Sequence, residues 1–231
     1  MTLSKMSRYI MVDAPIGAGK SFVLKRTARL IQDHPQLKDS LLMFEEDLAA
    51  WDKVMSAGKE EVVEGIALHA LYEEHRNFEF QSCVMLVQTD TVSNALSTAS
   101  TIGKREKKIP PLCIIERPPQ SCQAFMNLGG LTDVEYELST RALKVCVNSI
   151  PAPELIVKVE CEHTTALKRI RQRGRPSEQQ IDLAFLKKLS QEQDKVYRSL
   201  NVPIVSLPNE LGLEDEELMC FWSDILDKCT A

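Results

Sequence analysis

The chain has 231 residues, 44% hydrophobic and 26% charged, which is enough apolar material for one sizeable α/β core. A net charge of −5 and a pI near 5.5 argue against nucleic acid as a principal partner, because polyanion binders carry a net basic face. Seven cysteines, at 83, 113, 122, 146, 161, 220 and 229, form an odd set with no Cys-x-x-Cys pair, so neither a disulfide framework nor a zinc site is expected. The apolar runs are of strand length and only about eight residues precede the first, so a soluble, cytoplasmic protein without signal peptide or membrane span is expected.

The first run, Tyr9–Asp13, leads into Ala14-Pro15-Ile16-Gly17-Ala18-Gly19-Lys20-Ser21, a short glycine-containing turn before a helix starting near Gly19. That layout cradles a nucleoside triphosphate. Backbone N–H groups converge on phosphate oxygens, Lys20 places a point charge between the outer phosphates, Ser21 can ligate Mg²⁺, and the helix N-terminus faces the anion. Ala14 stands where such turns usually have their first glycine, which asks only that the backbone avoid a left-handed conformation there.

Further β-branched runs follow at Leu41–Phe44, Leu112–Glu116, 155–160 and 202–207. Helical periodicity is read over 47–55, 60–74, 78–102, 133–147, 164–172, 183–200 and 215–226. The stretch 103–111, with Lys104, Arg105, Lys107 and Lys108 before a Pro-Pro pair, reads as a surface connection. The alternation predicts a five-stranded parallel sheet flanked by helices, in a single domain spanning 1–231.

Ligands of open parallel sheets bind outside the carboxyl ends of the strands. Here those ends carry the phosphate turn, then Glu45-Glu46-Asp47, then Glu116-Arg117, with the basic run Lys168-Arg169-Ile170-Arg171-Gln172-Arg173-Gly174-Arg175 between strands four and five. Glu45 and Asp47 read as surface acids favoured by a helix dipole.

Five segments share a further likeness: Glu46-Asp47-Leu48-Ala49-Ala50-Trp51, Phe78-Glu79-Phe80-Gln81, Cys113-Ile114-Ile115-Glu116-Arg117-Pro118-Pro119, the arginines 169, 173 and 175, and the stretch from Arg175 through Glu178 to Ala184. With the phosphate turn they resemble the deoxyribonucleoside kinases over almost the whole chain. The pattern departs in having Asp47 where the family has proline.

The resemblance implies a P-loop kinase fold with an arginine-rich lid at 169–178. It implies Glu46 as general base for a 5′-hydroxyl, with Trp51 beside it, and Gln81 reading the base edge next to Phe80 and Val84. Glu116 would join Ser21 at Mg²⁺ and Arg117 would orient Glu46. Lys20, Arg169, Arg173 and Arg175 would act on the donor phosphates, while Tyr72 and Glu178 would hold the sugar 3′-hydroxyl. Arg171 falls outside the matched positions and reads as a surface charge. Gln88 and Cys122 stand where deoxycytidine kinase has an Arg and an Asp, leaving room for a 5-methyl group. Either Phe125 or Met126 would pack on the base.

The implied activity is ATP- and Mg²⁺-dependent phosphorylation of a pyrimidine deoxynucleoside, thymidine first and deoxycytidine or deoxyuridine second, for nucleotide salvage. A homodimer through 78–102 and 133–147 is implied. The surroundings of Pro119 and Asp182 are similar to the herpesvirus branch, implying a viral enzyme in host cytoplasm. The alternatives are a thymidylate-type nucleoside monophosphate kinase, which shares the turn and lid, or an inactive nucleotide-binding scaffold.

Overall fold

The computed structural model describes residues 7–46, 76–175, 178–209 and 213–230. The strands are β1 (Tyr9–Asp13), β2 (Leu41–Phe44), β3 (Leu112–Glu116), β4 (Ile156–Glu160) and β5 (Ile204–Pro208). They form one parallel sheet in the order β2-β3-β1-β4-β5. The helices are α1 (Lys20–Asp33), the one-turn α2 (Pro35–Lys38), α3 (Asn77–Glu106), the short α4 (Cys122–Met126), α5 (Asp133–Asn148), α6 (His163–Arg173), α7 (Leu183–Ser199) and α8 (Asp215–Thr230). None of the described helices is long and apolar enough to cross a membrane.

β1 and β3 are buried along their whole length, which is why they read as unbroken apolar runs rather than alternating ones. Successive side chains still part to opposite faces. Ile10 and Val12 join Leu24 of α1 and Trp222 of α8, while Tyr9 and Met11 meet Val92, Ala95 and Ala99 of α3 and Tyr197 of α7. Helices thus cover both faces. β1 is central, and the sequence-distant β3 and β4 flank it, so its carboxyl end opens at the point where strand order reverses.

The expected elements differ from the observed ones mainly at their ends. The third long helix continues through Glu106, so residues 103–106 are helical rather than part of a surface connection. Gly103 allows this: a Cβ there would stand 2.9 Å from the Pro110 ring. Lys107, at φ 55°, stops the helix. The fourth strand starts at Ile156 and the fifth runs Ile204–Pro208. The turn Pro119–Ser121 and α4 carry no helical period long enough to read from sequence. The helices expected over 47–55 and 60–74 lie outside the described residues, as do Trp51 and Tyr72.

Candidate active site

The phosphate turn leaves β1 and enters α1 through two glycines in the left-handed region, Gly17 at φ 81° and Gly19 at φ 88°. A Cβ would stand 2.5 Å from the Ala166 carbonyl oxygen at Gly17, and 2.3 Å from the Asn209 side chain at Gly19. Glycine is therefore required twice over. Ala14 is not at positive φ, so its methyl costs no strain. Its N–H donates to Asp13 Oδ1 at 2.8 Å and its carbonyl accepts from Gln193 Nε2 of α7 at 3.1 Å. α1 has no acid in its first turn, which leaves its positive end for an anion.

Ala18 is buried, and its carbonyl accepts from Asn209 Nδ2 at 2.8 Å and from Arg169 Nη1 at 3.2 Å. Arg169 Nη2 donates to the Asn209 carbonyl at 3.0 Å. The first lid arginine, expected on the donor phosphates, therefore braces the turn while also lining the cavity beside it.

At the end of β3, Glu116 is 3% exposed and collects three donors. Lys20 Nζ and Ser21 Oγ donate to Oε1, the latter at 2.8 Å, and the Glu46 N–H donates to Oε2 at 3.0 Å. Burial alone would raise its pKa. The Lys20 ammonium and these hydrogen bonds outweigh burial and hold the carboxyl below its ordinary range. The Ser21 hydroxyl and the Glu116 carboxylate, side by side, are oxygen donors of the kind that Mg²⁺ takes. That fits an ion completed by water and phosphate oxygens rather than a protein cage.

Arg117 follows at φ 51°, an uncommon conformation for a residue other than glycine, with its N–H on the Val12 carbonyl at 3.0 Å. Nη1 donates to Glu46 Oε2 at 3.3 Å, and the guanidinium lies 5.2 Å from the centre of the Phe125 ring. Burial opposes its charge, but Glu46, Asp13 and Glu116 together push its pKa above the ordinary value. The other Glu46 oxygen, Oε1, is buried and accepts no hydrogen bond among the described residues.

A cavity of about 650 Å³ joins these groups. Pro15, Ile16, Gly17, Gly19, Lys20 and Ser21 line it together with Glu46 and Arg117. Phe80, Gln81, Val84 and Gln88 of α3 line it too, as do Cys122, Phe125 and Met126 of α4. The Gln81 amide has no hydrogen-bond partner among the described residues. Gln88 is 5% exposed, and its Oε1 accepts from Cys122 Sγ at 3.1 Å. Burial, reinforced by the nearby Glu46 charge, raises the Cys122 pKa and keeps the thiol protonated, so this wall is uncharged. Met126 packs with Val84, Met85 and Cys122, whereas Phe125 lies against Arg117.

The remaining lid residues close on one another. Arg173 donates to Glu178 through Nε at 3.1 Å and through Nη2 at 2.6 and 2.7 Å, and Arg175 Nη1 reaches it at 3.4 Å. Residues expected on the donor phosphates and on the sugar are thus paired with each other. Arg171 is exposed but is not merely a surface charge. It donates to the Gln179 and Ile181 carbonyls at 2.6 Å and ties the lid to the start of α7. Bonds to backbone carbonyls leave no trace in residue type. Asp13, Gln193 and Asn209 were also missed. The last of these stands just past the carboxyl end of β5, where the rim rule points.

A family model described as "Deoxynucleoside kinase" matches residues 10–221. Among solved structures, a deoxyadenosine kinase from M. mycoides with bound dCTP superposes with a TM-score of 0.66 at 14% identity, over 95% of this chain and 98% of that one. That likeness bears on the fold alone. No curated protein matches the chain in sequence.

Proposed function

The chain belongs to the deoxynucleoside kinase family, and from that premise we propose that it transfers the γ-phosphoryl group of ATP to the 5′-hydroxyl of thymidine. The observation that carries the reading is Glu46. One oxygen is held by Arg117 and the other is buried and has no hydrogen-bond partner among the described residues, beside a cavity that also takes in the phosphate turn. A carboxylate so placed can take the proton of a hydroxyl as it attacks. It would repel an acceptor phosphate, which weighs against a monophosphate kinase.

In this mechanism the 5′-oxygen forms its bond to the γ-phosphorus as the bond to the β-γ bridging oxygen breaks, and ADP leaves. The proton passes to Glu46 Oε1. Lys20 moves from Glu116 to the phosphates, and Arg173 and Arg175 leave Glu178 for the transferring group, freeing Glu178 for the 3′-hydroxyl. Mg²⁺, held by Ser21 and Glu116, would offset the phosphate charge. Positioning and charge stabilisation carry the reaction, with no covalent enzyme intermediate.

Thymidine is favoured because Gln81 offers a donor and an acceptor side by side, matching O4 and N3–H, while Gln88 and Cys122 present an uncharged wall. With ATP as donor and the four deoxynucleosides and thymidylate as acceptors, thymidine is expected to give the highest kcat/KM. A preference for deoxyadenosine would overturn the pyrimidine reading, and a preference for thymidylate would overturn the hydroxyl acceptor. The site draws on residues from Pro15 to Phe185, consistent with one catalytic domain.

A homodimer is proposed on exposed apolar side chains of two neighbouring helices, Leu86 on α3 and Val134, Leu138 and Val145 on α5, exposed by 51 to 70%. Light scattering at working concentration is expected to give twice the chain mass. A monomer would remove that assembly.

A further inference from the structure

Asp13 takes no part in the mechanism above, yet it is the most enclosed charge beside it. The last residue of an otherwise apolar strand, it is fully buried. Oδ1 accepts the Ala14 N–H at 2.8 Å and lies 3.7 Å from Arg117 Nε. Among the described residues neither Oδ2 nor Arg117 Nε is in hydrogen bonding of normal geometry. The Tyr197 phenol of α7, itself outside normal hydrogen-bond geometry, is kept protonated by burial and by this carboxylate. A buried carboxylate is costly unless a cation offsets it, and here the cation is Arg117.

Arg117 stands between two acids. Nη1 reaches Glu46 Oε2 at 3.3 Å while the Nε edge faces Asp13. A guanidinium is a rigid planar fork that grips a carboxylate best with two N–H groups at once. Gripped in that way, both Glu46 oxygens would be occupied and neither could readily take a proton.

We propose that Asp13 is a positioning residue for the reaction: by holding the Nε edge of Arg117 it confines the guanidinium to one oxygen of Glu46 and leaves the other for the acceptor hydroxyl. The same carboxylate is bonded to Ala14 at the start of the phosphate turn. One buried group therefore registers the base against the donor. The inference rests on the reading of Glu46 as base.

Asp13→Asn keeps the size of the side chain and an acceptor for the Ala14 N–H but removes the charge that competes for Arg117. With ATP and the best acceptor of the four deoxynucleosides, kcat is expected to fall about 10–100-fold, a loss of the size that misplaced reacting groups produce. Both KM values should stay within about threefold, since binding groups are untouched. Asp13→Glu, which restores the carboxylate, should recover most of the loss. Wild-type kcat in Asp13→Asn overturns the proposal, as does a parallel rise in the KM for ATP with no recovery in Asp13→Glu. Should Asp13→Asn not fold, Asp13→Ser provides a second neutral side chain; failure of both with a folded Asp13→Glu assigns the residue to the fold and overturns the proposal. Full turnover in Glu46→Gln would remove the base reading itself, whereas loss there with full turnover in Asp13→Asn removes only the role of Asp13.

Discussion

Glu46→Gln is expected to lower kcat by about 10²–10⁴-fold while leaving deoxynucleoside affinity within a few-fold of the parent. The amide has the same shape, and its oxygen can still accept from Arg117 Nη1, so the local packing of the cavity is retained. What it lacks is a site for a proton. The buried oxygen of the carboxylate, which has no partner among the described residues, becomes an amide nitrogen, which cannot act as a base at neutral pH. Turnover under saturating ATP, set beside nucleoside binding by calorimetry, separates the two effects. Turnover near the parent value would return Glu46 to the plainer role of an ion-pair partner for Arg117.

Arg173→Ala should lower kcat by about 10²–10³-fold, the range found when one preorganised donor to a developing oxyanion is removed. In this structure the side chain is engaged with Glu178 at 2.6 Å, so it must first let go. That pair is no serious obstacle. Arg173 is 37% exposed, and ion pairs so open to solvent contribute about 0–1 kcal/mol, against roughly 2.7–4 kcal/mol for a donor acting in the transition state. The expected signature is loss in kcat and kcat/KM together. A rise confined to the KM for ATP would mean that Arg173 binds the ground state and the transition state equally. Single-turnover measurements distinguish chemistry from product release.

Several elements of the sheet were legible because their causes are local. β1 and β3 are apolar throughout since both of their faces are covered, and the α3 and α5 periodicities survive in sequence because one stripe of each packs inward. The turn at 14–21 was legible for a similar reason. Its glycines, lysine and serine answer to backbone geometry and phosphate chemistry within eight consecutive residues, and the structure places the two glycines at positive φ. The ends of α3 and of β4 were less legible, since Gly103 suggests a break unless Pro110 is known to lie against it.

The sequence by itself determined the order of the five strands and of the long helices among the described residues, the phosphate turn and the set of charged residues past the strand ends, because each is written in neighbouring residues or a short period. Only the tertiary structure decided which of those charges meet. Glu46, Glu116 and Lys20 come from three separate segments and share hydrogen bonds, Arg169 braces the Ala18 carbonyl, and Arg173 takes Glu178. Asp13 was legible only as the polar end of a strand. Its contact with Arg117 depends on the pairing of β1 with β3 and on the positive φ of Arg117, a combination of long-range register and local strain that no stretch of sequence contains.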